Sequence, residues 1–245
     1  MRSLKRWWPL LLLLPIILIT IVGVWVSRPA LPMPEALAAL ESDSAVMVDT
    51  SRWLTFTPIN TQPTTGLIFY PGGLVDARAY APLARAVAEA GSLAVIVPMP
   101  LNLAVLGIGA ADEVIAAYPN IEHWAISGHS LGGSMAARYT AEHPDKIDGL
   151  ILMASYPDRD LSSFDIAAAS IYGENDGLAT VTQVEGSAPQ LPPNTRFVEI
   201  EGGNHAFFGW YGDQARDNPA AITREEQQAQ VINTTLEILN EIAGK

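Results

Sequence analysis

Residues 121–143 read IEHWAISGHSLGGSMAARYTAEH, and the centre of this stretch is Gly128-His129-Ser130-Leu131-Gly132. The apolar run at 124–126 is too short for a helix and is bounded by glycine, which predicts a buried strand. Residues 131–142 are rich in alanine and stop before Pro144, which predicts a helix. A strand, a Gly-x-Ser-x-Gly turn and a helix in this order are typical of a nucleophile elbow, in which a strained turn exposes the serine hydroxyl.

Apolar runs alternate with helix-like segments on both sides of this stretch. Because the central runs are apolar throughout, they predict an α/β fold with a mostly parallel, twisted sheet and helices on both faces. Only about ten residues separate the runs at 149–153 and 167–172, which leaves no room for a helical cap domain. Strands are expected at 45–49, 52–57, 66–70, 93–97, 149–153, 167–172 and 196–200, and helices at 79–90, 109–118 and 223–243. Thr223 and Glu226 predict a capping box at the start of the last helix.

Composition excludes several classes of function. The chain of 245 residues has a formal net charge of −12, and residues 29–245 hold all 26 acidic but only 10 of the 14 basic residues. Such a surface repels nucleic acid. The absence of cysteine excludes disulfides, thiolate metal sites and a cysteine nucleophile. No HExxH, Walker or GxGxxG motif is present, so neither a metal nor an organic cofactor is expected.

The N-terminus is expected to anchor the protein in a membrane. Arg2, Lys5 and Arg6 precede an apolar run of twenty residues, 7–26. A helix of that length spans roughly 30 Å, the hydrocarbon thickness of a bilayer. The basic residues predict a cytoplasmic N-terminus and place the rest of the chain on the extracytoplasmic side. A cleaved signal peptide is the alternative, but it requires a shorter apolar core.

These features predict three regions. Residues 1–27 form the membrane anchor, residues 28–44 a proline-rich linker, and residues 45–245 a single α/β domain. The linker contains prolines at 29, 32 and 34 and is expected to be stiff and extended, leading away from the membrane.

A serine hydroxyl needs a neighbouring base before it becomes a good nucleophile. Of the four histidines, His205 alone follows a predicted strand at the sheet end where Ser130 emerges. His129 adjoins the serine and its side chain must point elsewhere. His143 closes a helix, and His123 precedes the strand at the opposite end of the sheet. His205 is therefore the candidate base.

The base in turn needs an acid that orients it. Asp176 follows the strand predicted at 167–172, and the glycines of Gly-Glu-Asn-Asp-Gly let the backbone turn there. Asp158 and Asp160, which follow the preceding strand, are the rivals. Glu174 is closer to the strand and is expected to be a turn or rim residue. Asp176 is therefore the candidate acid.

The oxyanion of the acyl intermediate needs two backbone N–H donors. Leu131, directly after the serine, is one candidate, and Gly73 in the loop after the first buried strand is the other, with Leu74 next in order. Gly72-Gly73 as a plain turn is the alternative. Leu74 and Phe207 are expected to contact substrate, and the aromatic residues near Phe207 suggest an apolar acyl or aryl group, unless they only pack the loop onto the domain.

Four short stretches carry a resemblance to the α/β-hydrolase superfamily, and the chain is similar to its compact, lidless branch that includes dienelactone-hydrolase-like proteins. The stretches are 69–73, 128–133, 172–177 and 203–205, and the resemblance covers about residues 45–243. It implies the α/β-hydrolase fold and a Ser-Asp-His order of catalytic residues. Dienelactone hydrolases use a cysteine nucleophile where this chain has Ser130, so their substrate is not carried over. Pro71 stands where many esterases have histidine, which affects the expected donor geometry.

The expected function is a membrane-anchored serine hydrolase that cleaves carboxylic esters, thioesters or amides through an acyl-enzyme. Its partners would be a small-molecule ester-type substrate and the lipid bilayer. Two alternatives stay open at this point: a catalytically inactive binding protein with the same fold, and an acyltransferase that uses an acceptor other than water. The sequence does not indicate the acyl chain length or the oligomeric state.

Overall fold

The structure is a computed structural model that describes residues 28–244 and, before them, Leu13, Pro15, Ile17 and Gly23. Among these residues, no helix has both the length and the apolar character needed to cross a bilayer. The membrane helix expected at 7–26 lies, apart from those four positions, outside the described residues.

Eight strands form one sheet in the order β1-β2-β4-β3-β5-β6-β7-β8. The β1–β2 and β2–β4 pairs are antiparallel, and all other pairs are parallel, which confirms the predicted mostly parallel sheet. Apart from the half-buried His123 at the start of β5, the strands from β3 to β7 are buried along their whole length, as their apolar runs predict. The strands are β1 Val46–Asp49, β2 Leu54–Pro58, β3 Thr65–Tyr70, β4 Leu93–Ile96, β5 His123–His129, β6 Gly149–Met153, β7 Ala167–Gly173 and β8 Arg196–Ile200.

Helices cover both faces of the sheet, and a separate apolar core lies on each face. The helices are α1 Pro34–Ala38, α2 Ala81–Glu89, α3 Ala110–Ala117, α4 Leu131–Glu142, α5 Val181–Gly186 and α6 Arg224–Ala243. Side chains of α2 and α6 belong to one core, and those of α3 and α4 to the other. The predicted capping box is confirmed, because Thr223 and Glu226 exchange hydrogen bonds at the start of α6.

Two connections between strands bear on the cleft described below. Residues 154–166, between β6 and β7, form only turns and bends, so no helical cap is inserted there. The short helix α5 was not predicted, because its few apolar residues show no helical period; Thr180 and Gln183 form a capping box at its start.

The proline-rich segment 28–34 packs against loops of the domain. The Ala30 amide donates to the Leu74 carbonyl at 2.8 Å, and the Met33 amide donates to the Trp210 carbonyl at 2.8 Å. The prolines hold the segment extended, and the amides between them pair with neighbouring loops. The segment therefore joins two loops at the carboxyl end of the sheet.

The turn from β5 to α4 depends on glycine. Ser130 has φ 52° and ψ −121°, a strained conformation for a residue with a side chain. A Cβ on Gly132 would lie 2.1 Å from the Tyr70 carbonyl oxygen, and one on Gly128 would lie 2.4 Å from the Gly132 carbonyl carbon. The structure thus confirms that small residues are required on both sides of the serine.

Replacing Gly132 with alanine is expected to lower the free energy of unfolding by about 2–3 kcal/mol, because the added methyl meets backbone atoms that cannot rotate away. Gly186→Ala is the matched control: nothing lies within 4 Å of its Cβ position in α5. That substitution should leave the stability unchanged or raise it by up to about 1 kcal/mol. Urea denaturation measures both, and equal effects would contradict the close contact.

Candidate active site

Ser130 is held at the carboxyl end of β5 by the neighbouring strand β6. Its amide donates to the Met153 carbonyl at 2.9 Å, and its carbonyl accepts from the Ser155 hydroxyl at 2.7 Å. The amide and the carbonyl of Ser130 are therefore both hydrogen-bonded. These bonds stabilise the strained backbone conformation and fix the position of the Ser130 Cα.

Asp176 and His205 form a buried hydrogen-bonded pair. His205 Nδ1 lies 2.8 Å from Asp176 Oδ2, and the two side chains are 1% and 0% exposed. The other carboxylate oxygen, Oδ1, accepts from the amides of Leu178 and Ala179, each at 2.7 Å. With the proton on Nδ1 directed to Asp176, the free nitrogen of the ring is Nε2. This atom is buried and has no hydrogen-bond partner among residues 28–244.

Ser130 and His205 line the same cleft, whose volume is about 260 Å³. The remaining lining residues are Leu131, Ser134, Ala154, Ser155, Tyr156, Leu178 and Ala179. A larger cavity of about 450 Å³ lies at the opposite end of the sheet, between 57–63 and 117–121. That cavity contains none of the predicted site residues.

Backbone amides beside Ser130 form a pair of available donors. A Cβ on Gly73 would lie 3.2 Å from Leu131 Cδ2, so the two residues are adjacent. The Leu74 amide is already engaged, since it donates to the Asn102 carbonyl at 2.8 Å. Within the described part of the chain, the amides of Gly73 and Leu131 have no acceptor. This favours Gly73 over Leu74 as the second donor to an oxyanion.

Leu74 and Phe207, which are expected to contact substrate, are not among the residues that line this cleft. The Arg224 guanidinium stacks 4.1 Å from the centre of the Phe207 ring, and Phe207 lines another cavity of about 360 Å³. The loop after His205 thus packs onto α6. Tyr156 and Leu178, which the sequence analysis missed, form the apolar walls of the cleft.

The rival acids have other partners. Asp158 pairs with the Arg138 guanidinium, and Asp160 accepts from the Ser162 amide at 2.9 Å. Glu174 accepts from the Gly202 amide at 2.8 Å, which is the turn role that the sequence predicts. Neither rival aspartate contacts His205 in the structure.

Asp217 is a structural member of the site that sequence reasoning missed. Its Oδ1 accepts from the amides of Gly177 and His205 at 3.1 and 3.2 Å, and its Oδ2 accepts from the Ala206 amide at 2.8 Å. One carboxylate thus joins the loop that carries Asp176 to the loop that carries the histidine. No local motif marks Asp217, because these three donors lie at least eleven residues away in sequence.

His129 packs directly against His205, with ring centroids 4.5 Å apart. The Tyr80 hydroxyl accepts from the Gly72 amide at 3.1 Å and lies 2.8 Å from His129 Nδ1, to which it can donate. Burial, together with the nearby His205 ring, holds the pKa of His129 well below its usual value of 6.5. His129 is therefore a neutral side chain that connects the Gly72 loop to the candidate base.

This burial predicts a pH-dependent stability. Below pH 6.5 the unfolded chain protonates His129 while the folded chain does not, so the free energy of unfolding falls by up to about 1.4 kcal/mol per pH unit. In His129→Phe this contribution is absent, and denaturation between pH 6.5 and 5 should show a shallower loss of stability than in the parent protein. The same slope in both proteins would contradict a neutral buried His129.

Comparison with known proteins identifies the family of the chain. A family model described as the alpha/beta hydrolase family matches residues 66–229, more than half of the chain. The match begins in β3, ends in α6 and includes Ser130, Asp176 and His205. A search of curated proteins gives no match. The family model matches more than half of the chain, and the sheet is eight-stranded and mostly parallel. The chain therefore belongs to the alpha/beta hydrolase family.

Proposed function

We propose that this protein is a serine hydrolase that cleaves carboxylic esters through an acyl-enzyme intermediate. Membership of the family supports hydrolase activity, and the finer assignment rests on one observation. A buried Asp176 orients His205 through Nδ1, and His205 lines the same cleft as Ser130 with Nε2 unpartnered among the described residues.

The first step is attack by Ser130 Oγ on the acyl carbon of the ester. His205 Nε2 takes the hydroxyl proton as the new C–O bond forms. The resulting imidazolium is stabilised by Asp176, whose carboxylate is held by the Leu178 and Ala179 amides. Asp176 thus also keeps the proton of neutral His205 on Nδ1, the tautomer that a base at Nε2 requires.

The negative charge of the tetrahedral intermediate falls on the former carbonyl oxygen. The amides of Gly73 and Leu131 are the proposed donors to this oxygen, because they are adjacent and otherwise unengaged among the described groups. Leu131 is also the first residue of α4, whose N-terminus carries a partial positive charge.

Collapse of the intermediate breaks the bond to the leaving group. His205 returns its proton to the departing alkoxide, which leaves as an alcohol. The acyl group stays on Ser130. Water then attacks the acyl carbon with His205 again as base, which releases the carboxylic acid and restores the serine. Thioesters and amides follow the same route, with a thiol or an amine as leaving group.

The shape of the cleft supports a site in the compact, lidless branch that the sequence resembles. Residues 154–166 form no helix that could cover the cleft, and the volume of the cleft, about 260 Å³, is small. Pockets that enclose a drug-sized ligand have volumes of about 300–1,000 Å³. The cleft therefore fits the ester group and a short portion of the acyl chain beside Tyr156 and Leu178.

We also propose that residues 7–26 anchor the hydrolase in a membrane, with the catalytic domain on the extracytoplasmic side. The support for this is in the sequence: an apolar run of twenty residues follows Arg2, Lys5 and Arg6.

Ser130→Ala is expected to lower kcat/KM for short nitrophenyl esters by about 1,000-fold or more, because it removes the nucleophile. Ser163→Ala is the matched control, since Ser163 is an exposed serine outside the cleft, and it should keep the parent rate. The release of nitrophenolate measures the rates of both variants. A panel of nitrophenyl esters with graded acyl chain lengths shows which chain length the cleft accepts. Parent-level activity in Ser130→Ala would overturn the proposed function.

A further inference from the structure

Large apolar side chains are exposed along one edge of the domain. Leu31 is 69% exposed, and Leu101, Val105 and Leu106 in the segment after β4 are 58%, 45% and 53% exposed. We call these four residues the apolar rim. Residues 97–109 contain no charged side chain, although 16% of the chain is charged. Exposed apolar residues clustered in this way mark contact with another molecule or with a membrane.

The apolar rim borders the cleft of Ser130. Asn102, between the rim residues, accepts from the Leu74 amide at 2.8 Å. A Cβ on Gly73 would lie 3.9 Å from Leu103 Cδ2 and 3.2 Å from Leu131 Cδ2, and Leu131 lines the cleft. The segment that carries three of the rim residues is therefore separated from the cleft only by the Gly73 loop.

Backbone geometry holds this segment in place. Leu101 and Asn102 have φ values of 52° and 55°, in the left-handed region that side chains other than glycine rarely adopt. The bond from the Leu74 amide and a turn from the Asn102 amide to the Met99 carbonyl, at 2.9 Å, fix both residues. The exposure of Leu101 is thus a feature of an ordered turn.

The segment 28–34 brings the fourth rim residue, Leu31, to the same edge. Ala30 pairs with the Gly73 loop on both sides: its amide donates to the Leu74 carbonyl at 2.8 Å, and its carbonyl accepts from the Asp76 amide at 3.0 Å. The position of Ala30 is therefore fixed relative to the rim.

Only four residues, 27–30, separate the apolar run at 7–26 from Leu31. The five residue steps from position 26 to Leu31 can span at most about 18 Å when fully extended. If residues 7–26 cross a bilayer, the membrane surface must lie within that distance of Leu31.

We propose that the apolar rim inserts into the surface of the bilayer, so that the cleft of Ser130 opens toward the membrane and takes its substrate from there. The substrate class is an ester of an amphiphile whose remaining chain stays in the lipid, because the cleft is too small to enclose it. A bilayer suits this edge better than a charged protein partner does, since residues 97–109 offer no charge to pair with. The substrate assignment rests on the proposed hydrolase function, and the docking rests on the proposed membrane anchor.

The docking is tested by fluorescence quenching in the full chain reconstituted in phosphatidylcholine vesicles. The protein has no cysteine, so Val105→Cys and Met47→Cys each give a single site for an environment-sensitive dye. Met47, in the edge strand β1, is 52% exposed and serves as the matched control. A label at position 105 should be quenched by spin-labelled lipid at least about threefold more than a label at position 47, with the order reversed for aqueous iodide.

Two results would overturn the docking. Equal quenching by iodide at both positions would show that the rim stays in water. Protection of position 105 from both quenchers would show that a second copy of the chain or another protein covers the rim instead of lipid.

The substrate class is tested with the rim variant Leu101→Ser, Val105→Ser and Leu106→Ser. Its rate on an acyl ester embedded in the same vesicles should fall about tenfold or more, while its rate on a water-soluble nitrophenyl ester stays within twofold of the parent. The control Met47→Ser with Ile59→Ser, both exposed apolar residues elsewhere on the surface, should change neither rate.

The outcomes separate this inference from the proposed function. If the rim variant loses both activities equally, or neither, delivery of the ester from the bilayer is refuted while the hydrolase assignment stands. If the parent protein cleaves neither ester, the proposed function fails, and the quenching result still decides whether the rim meets the membrane.

Discussion

The close contact between the first turn of α4 and the carboxyl ends of β3 and β5 is the constraint on which the site depends. Glycines at 128, 132 and 133 allow this contact, because a Cβ at any of them would lie within 2.7 Å of neighbouring atoms. The contact forces Ser130 to a φ of 52°, which presents its side chain at the end of the sheet rather than within the sheet. Without these glycines the helix could not begin directly after the strand, and the serine would have no exposed position.

The remaining parts of the site are assembled by contacts between distant loops. Asp217 joins the loop of Asp176 to the loop of His205. The start of α6 is hydrogen-bonded to the loop of His205. There the Gln227 side chain exchanges hydrogen bonds with both backbone groups of Asn204, at 3.0 and 2.8 Å. Because β7, β8 and α6 all contribute, the candidate base His205 is positioned by the last third of the chain, while the proposed nucleophile Ser130 is positioned by its centre.

This division explains how much the sequence could predict. The strands, α4, the capping box of α6 and the position of the serine follow from signals within a few residues, and the structure confirms them. The pairing of Asp176 with His205 could be expected because both residues follow strands that end at the same edge. Asp217, the Tyr80–His129 contact and the docking of 28–34 depend on partners far away in sequence, which no local pattern reveals. The partners of Leu74 and Phe207, which are the Asn102 carbonyl and the Arg224 side chain, are hidden from local patterns in the same way.

The central claim is that Ser130 is a nucleophile activated by His205, and covalent labelling tests it most directly. The protein is incubated with a fluorophosphonate at neutral pH, and the modified peptide is identified by mass spectrometry. The account predicts a single adduct, on Ser130, whose formation is slowed by at least about 100-fold in His205→Ala. No adduct, or an adduct on a neighbouring serine of the cleft such as Ser134, would contradict it.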